Sequence, residues 1–147
     1  MSLSLSRSTL HYQLIHTLIE QGRAPTSAEL AEIFQVDLAT ITHALLDLQE
    51  DHGVVLHPHQ PEAWVVHPFS TAPTPFAVWK GDQVWWGNCA WCSLGVAALL
   101  GGDNIRIYSS FGAEGTPVTL EIQQHQVKGN AVVHFPIPMA KAWDNVI

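Results

Sequence analysis

Two cysteines are the residues of this chain with the clearest capacity for chemistry, because they are its only thiols and lie three positions apart. An apolar segment with helical spacing begins at Cys89-Ala90-Trp91-Cys92, directly after Asn88, a residue type that often caps helices. At the first turn of a helix such residues share one face, so both thiols can bind one metal ion or form one disulfide. The helix N-terminus should favour the thiolates and lower their pKa. Paired thiolates suit soft metals rather than magnesium or calcium.

From the residues alone, three interpretations of this cysteine pair are open. The first is simple packing, since free cysteine is among the most buried residue types. The second is a structural zinc site, which needs two further ligands. Four histidines are candidates for them, although none has finger-like spacing: His57, His59, His67 and His134. The third is a thioredoxin-type redox pair, but the βαβ context is absent and the aromatic residue stands between the cysteines.

The elements that must position the cysteines are predicted as short strands around one helix. Asn88 should cap a helix from Cys89 to about Leu100. Alternation of apolar and polar residues predicts five strands in this half, over 76–79, 83–86, 105–108, 118–122 and 131–135. Four tryptophans are expected to crowd the helix and to form the wall of an apolar cavity: Trp79, Trp85, Trp86 and Trp91.

The residues before position 68 predict a different kind of unit. Apolar residues at helical spacing predict three helices, with Thr26 or Ser27 capping the second and Asp37 capping the third. Two strand-like segments follow, over 54–56 and 63–66, around a polar turn. Three helices followed by a hairpin is the element order of a winged helix.

A segment with three prolines in eight residues, 68–75, separates the two halves and predicts an extended linker or a strap over the surface. We therefore predict an α+β chain in three parts. They are a winged-helix-like domain at 1–67, the Pro-rich linker at 68–75, and a mixed α/β domain at 76–147.

The charge of the chain argues against nucleic-acid binding. Its 147 residues include 13 acidic and 6 basic side chains, which give a formal charge of −7 with neutral histidines. The predicted third helix, Leu38 to Asp51, contains no arginine or lysine, so a duplex would repel it. A winged-helix fold in this chain is therefore expected to serve as a scaffold rather than as a DNA reader.

Composition also bears on where the protein is located in the cell and on whether it forms a dimer. No segment has the length and apolar character of a membrane span or of a signal peptide at the N-terminus, which predicts a cytoplasmic protein with reduced thiols. Charged residues are only 13% of the chain, and six residues are tryptophan. This combination leaves room for a homodimer formed through an apolar patch.

Two segments of the second half resemble the alkylmercury lyase (organomercurial lyase) family. NCAWCSLGVAAL at 88–99 is similar to the start of the family's catalytic helix, and IRIYSS at 105–110 through GTPVTL at 115–120 is similar to the strand-turn-strand that follows. The resemblance implies a winged-helix-like domain not used for DNA and an alkylmercury-lyase-like domain at 76–147. It also implies protonolysis of a carbon–mercury bond, in which two cysteine thiolates bind mercury and an aspartate helps to deliver a proton to carbon. No resident cofactor is implied, because Hg(II) or another soft metal is a ligand within the substrate or product.

Matched residue by residue, Cys89 falls on the family's first catalytic cysteine and Cys92 falls on its aspartate. The family's second catalytic cysteine should follow the segment 136–143, and this chain stops at Ile147, near that point. Cys89 and Cys92 are therefore the expected catalytic residues and metal ligands for a small organometal or a soft metal ion. Because a thiol replaces the carboxyl proton donor, we expect metal binding with slow or absent carbon–mercury cleavage. The alternatives are a non-enzymatic soft-metal binder or sensor and, third, a winged-helix transcription regulator.

Overall fold

The fold is described from a computed structural model, which covers residues 4–111 and 114–142. Its α-helices are α1 Arg7–Gln21, α2 Ser27–Phe34, α3 Leu38–Glu50 and α4 Ala90–Leu99. Its strands are β1 Val54–Leu56, β2 Ala63–Val66, β3 Phe69–Ser70, β4 Ala77–Lys80, β5 Gln83–Gly87, β6 Ile105–Phe111, β7 Thr116–Gln123 and β8 Gln126–Lys128. A short 3₁₀ helix follows at Met139–Lys141. The predicted α+β class is confirmed.

Local capping determines where the N-terminal helices begin. The Thr26 hydroxyl accepts from the Glu29 backbone N–H while the Glu29 side chain accepts from the Thr26 backbone N–H, which forms a reciprocal capping box. The Asp37 carboxylate accepts from the backbone N–H of Thr40 at 2.7 Å. The caps predicted at Thr26 and Asp37 are therefore confirmed. Helices α1 to α3 and the β1–β2 hairpin occur in the predicted order, whereas their assignment to the winged-helix class stays a prediction.

One antiparallel sheet runs through both halves of the chain in the order β1-β2-β3-β5-β4-β6-β7-β8. Strand β3 lies within the segment predicted as a linker. Its Phe69 is fully buried and pairs with Val66 of β2 on one side and Gly87 of β5 on the other. The chain at 69–70 is thus part of the sheet rather than a surface strap, and the division into domains 1–67 and 76–147 stays a prediction.

The strand predicted over 131–135 is wrong. Strand β7 instead turns back through Gln124 and His125, both with positive φ, and β8 pairs with β7 directly afterwards. The chain then leaves the sheet at Gly129, whose φ is 151°. The residues 131–135 have no strand pairing, and Val132 is 93% exposed, so the alternation there does not reflect burial against a sheet.

The buried core continues from the three N-terminal helices into the sheet, with Leu14, Ile41, Phe69 and Ile105 among its fully buried side chains. The Trp85 indole N–H donates to the carbonyl of Leu18 at 2.7 Å, which joins β5 to the C-terminal turn of α1. Among the described residues, no helix is both long enough and apolar enough to cross a bilayer.

Candidate functional site: a cysteine pair at the rim of an apolar cavity

Helix α4 begins with Cys89 as its N-cap, in an extended conformation with φ −149° and ψ 176°. The Cys89 Sγ accepts a hydrogen bond from the backbone N–H of Cys92 at 3.1 Å. The prediction of Asn88 as the cap is therefore wrong. The Asn88 backbone N–H instead donates to the carbonyl of Pro68 at 3.0 Å, which ties this residue to the chain beside β3. The cap position places the Cys89 sulfur over the first turn of its own helix.

The two sulfurs lie 2.7 Å apart, share a hydrogen bond and belong to half-buried, unbridged cysteines. The hydrogen bond with Cys92 lowers the pKa of Cys89 to about 6, and backbone N–H groups of Cys92 and Trp91 lower it further against the opposing effect of burial. The same hydrogen bond and burial raise the pKa of Cys92. The two pKa shifts run in opposite directions and favour a thiolate at Cys89 beside a thiol at Cys92, so the lowered pKa expected for both cysteines applies to Cys89 alone.

A cavity of about 670 Å³ opens in front of the cysteine pair. Most of its wall is apolar, formed by Pro68, Phe76, Trp91, Val133, Phe135, Pro136, Ile137 and Met139. Among the lining residues that the structure describes, the other polar side chains belong to His67, Asn88 and His134. None of the described residues that line the cavity is aspartate or glutamate. The site therefore pairs two soft sulfur donors with a surface suited to an organic group.

The histidines proposed as zinc ligands are divided between two places. His67 and His134 line the cavity, whereas His57 and His59 lie in the turn between β1 and β2, where the His57 ring stacks on Trp64 at 5.2 Å. Within 4–111 and 114–142, no group of three or more His, Cys, Asp or Glu side chains could hold a metal ion. The described residues thus do not supply the four-ligand set of a structural zinc site.

His67 is half-buried and lines the same cavity as the cysteine pair. Burial lowers the pKa of this imidazole, and the nearby His11 lowers it further by repelling a second positive charge. His67 is therefore neutral near pH 7. A neutral imidazole here adds a polar surface to the cavity without adding a positive charge that would repel a cation or pair with the Cys89 thiolate.

Of the four tryptophans expected to wall the cavity, only Trp91 lines it. Trp85 faces α1 and Trp79 lies on another face of the sheet, beside Arg106. Trp91 instead meets Phe135, with the ring centroids 6.2 Å apart and the planes at 64°. Phe135 was not predicted to belong to the site, because its apolar neighbours suggested a strand.

Two glycines allow α4 to pack closely against the sheet. A Cβ added at Gly87 would lie 2.8 Å from the backbone N and Cα atoms of Ser93, and one added at Gly95 would lie 3.2 Å from the Pro68 ring. Because a backbone atom cannot rotate away, Gly87 permits a contact that any side chain would prevent. This contact fixes the first turn of α4, and with it both sulfurs, relative to β5.

Replacing Gly87 with alanine is expected to displace α4 and to reduce the free energy of unfolding by about 1–3 kcal/mol through overpacking. The pKa of Cys89 should rise at the same time, because its hydrogen bonds depend on the first turn of α4. Urea denaturation and titration of thiolate absorbance measure the two effects. Gly115→Ala is a control, since its Cβ meets no atom within 4 Å but its φ is +66°. It should reduce stability without changing the Cys89 titration. An unchanged titration in Gly87→Ala would contradict the packing argument.

Comparisons with known proteins identify a family from the sequence and a similar fold from a solved structure. Residues 69–147 match the family model described as alkylmercury lyase. A solved structure described as the mercury-bound form of MerB2 is similar to this chain, with a TM-score of 0.63 and 19% sequence identity. The similarity covers 80% of this chain and 58% of that one, so the chain spans less than two thirds of the structure it matches. At this identity the likeness concerns the fold alone. No curated protein sequence gives a match.

Proposed function

Because the chain belongs to the alkylmercury lyase family, whose model matches residues 69–147, we propose that it binds mercury and organomercurials through Cys89 and Cys92. The observation behind the proposal is the pair of sulfurs, 2.7 Å apart, at the rim of a mainly apolar cavity. Thiolates are the side chains that soft metals prefer, and apolar walls suit the organic group. Lyases of this family need no cofactor, and mercury enters as part of the substrate.

Binding begins with the Cys89 thiolate as nucleophile. It displaces a small thiolate from an organomercury compound, so that a Cys89 sulfur–mercury bond forms and the released thiolate leaves with its electron pair. The organic group remains on mercury and lies toward the cavity. Because the pKa of Cys89 is about 6, the nucleophile is already ionised at pH 7 and no separate base is required.

Cleavage of the carbon–mercury bond then needs a proton at carbon, and Cys92 is the proton source that we propose. Its thiol proton would pass to the leaving carbon while its sulfur takes the vacated position on mercury. The products would be a hydrocarbon and a Cys89–mercury–Cys92 dithiolate, with no change in oxidation state. A thiol is a weaker acid than a carboxyl group, and a general acid typically contributes about 10²–10⁴-fold. We therefore expect slow cleavage, or none, beside firm binding.

Mercury retention tests the binding step. Wild-type protein mixed with Hg(II) or phenylmercury and then desalted should retain about one equivalent of either, measured by elemental analysis. Cys89→Ser should take up phenylmercury more slowly than wild type, because the thiol with the lowered pKa is gone and only Cys92 remains. Cys92→Ser should keep phenylmercury and bind Hg(II) less tightly, because one thiolate remains. Wild-type protein that retains neither compound, or Cys89→Ser protein that takes up phenylmercury as fast as wild type, would contradict the proposal.

Benzene release separates a lyase from a non-enzymatic soft-metal binder or sensor, the second candidate. The absence of a carboxylate among the described lining residues favours that candidate. With phenylmercury and excess small thiol, a lyase releases benzene and a binder does not. Cys92→Asp should release benzene faster than wild type, because it restores a carboxyl acid at the position where the family has one. Cleavage abolished by Cys89→Ser but not slowed by Cys92→Ser would exclude the dithiolate mechanism.

A further inference from the structure

The indole of Trp91 is attached to the same helical turn as both sulfurs, because Trp91 lies between Cys89 and Cys92 in the sequence. It lines the cavity and is 57% exposed, although large aromatic side chains usually bury more of their surface. Any group on a mercury atom bound to Cys89 therefore starts beside this ring. An organic group that covers the indole would remove exposed aromatic surface from water.

Phe135 extends this aromatic surface, because it lines the same cavity and its ring meets Trp91. Its ring approaches Trp91 at 6.2 Å between centroids and 64° between planes, the edge-to-face arrangement that aromatic pairs prefer. Such a pair leaves ring faces available for a third aromatic group. Phe135 is itself 39% exposed. Two other apolar side chains of the same segment are also exposed, Ile137 at 49% and Met139 at 53%.

The size of the cavity indicates how much organic group it can take. An apolar cavity of about 150 Å³ is large enough to hold benzene, and this one measures about 670 Å³. A methyl group on mercury would leave most of the aromatic wall in contact with water. A phenyl or naphthyl group would cover far more of it and could stack against Trp91 and Phe135.

We propose that the site selects mercury compounds with aromatic organic groups over methylmercury, and that Trp91 and Phe135 determine this preference. The inference rests on the proposed function, since it concerns the group carried by mercury at Cys89. A single methylene in an apolar pocket discriminates by about 10-fold or more. A whole ring against two aromatic side chains should therefore give at least about 10-fold preference for phenyl over methyl.

Competition with glutathione provides the test, because it cancels the different intrinsic affinities of each mercury compound for a thiol. Methyl-, phenyl- and naphthylmercury are partitioned in turn between full-length protein and glutathione, and the bound fraction is measured. Wild type should favour phenyl and naphthyl over methyl by at least about 10-fold. Trp91→Leu and Phe135→Leu should each reduce this ratio several-fold, because phenyl- and naphthylmercury lose more contact with the wall than methylmercury does. Trp64→Leu is the matched control, because Trp64 is also exposed but lies on β2 against His57.

Each result has a separate consequence. Equal partition of phenyl- and methylmercury in wild type would overturn the selectivity and leave the proposed binding function intact. A wild-type preference that persists in both Trp91→Leu and Phe135→Leu would overturn the assignment of these residues. Loss of all three compounds from wild-type protein to glutathione would instead count against the proposed function itself.

Discussion

Alkylation of Cys89 by iodoacetamide is expected to rise with pH through a midpoint near pH 6, well below the pH of about 8.5 at which an ordinary cysteine is half ionised. The thiolate is the reactive form, and the hydrogen bond with Cys92 stabilises it. At pH 7 most Cys89 should be thiolate, compared with a few per cent of an ordinary cysteine. Even after allowance for the lower nucleophilicity of a more acidic thiol, the rate at pH 7 should exceed that of a model thiol.

The raised pKa of Cys92 makes the labelling selective. One equivalent of label should enter at pH 7, and peptide mass spectrometry should locate it on Cys89. Cys92→Ala removes the sulfur donor and should move the midpoint toward 8.5, although the backbone N–H at position 92 remains. Cys92→Ser retains a hydroxyl donor and should move it less. A wild-type midpoint near 8.5, or equal labelling of both cysteines, would contradict the hydrogen-bonded pair.

The sequence is sufficient to find the cysteine pair but not its asymmetry. A spacing of three places both sulfurs on one turn of any helix, which is a local property. Which sulfur becomes the thiolate depends on which residue is the N-cap. The backbone of Asn88 influences that choice, because its N–H donates to the carbonyl of Pro68 in the turn before β3. A local reading of helix caps therefore selects Asn88, the better capping residue type, and misses the residue that tertiary contacts place there.

The wall of the cavity shows a second limit of sequence reasoning. His67 and Pro68 precede β3, Phe76 precedes β4 and Phe135 follows β8, so three distant segments meet in front of α4. The spacing of residues in the sequence does not indicate that these segments contact each other. The alternation at 131–135 even suggests the wrong structure, since apolar residues that line a cavity and apolar residues of a strand have the same composition.

The helices were predictable because their signals are local. Thr26 and Asp37 cap helices through hydrogen bonds within three residues. The apolar residues of each helix lie on one face, which a helical period in the sequence is enough to indicate. Strand β3 is different, because its two residues carry no periodicity and follow a proline. It forms because its backbone pairs with β2 on one side and with β5 on the other, and this pairing is available only in the assembled sheet.

Replacing Phe69 with alanine should lower the free energy of unfolding by about 3–5 kcal/mol, the usual cost of removing a fully buried phenylalanine. The loss combines the transfer of the ring to water with the cavity that remains in the middle of the sheet. Urea denaturation measures it, followed by far-ultraviolet circular dichroism for the helices and by tryptophan fluorescence. Phe135→Ala is the control, because its 39% exposed ring should cost less than about 1 kcal/mol. A Phe69→Ala loss as small as the control's would contradict the burial of this ring.

The same denaturation curves test whether residues 1–67 and 76–147 unfold separately. Circular dichroism is weighted toward α1 to α3, whereas Trp79, Trp86 and Trp91 place much of the fluorescence in the second half. Because Phe69 pairs with both β2 and β5, its replacement should shift both signals together. Two independent domains would give transitions that separate, with only one of them moved by the substitution. Coincident shifts would mean that β3 makes the helical half and the cysteine site one cooperative unit, so that damage to either reaches the mercury-binding sulfurs.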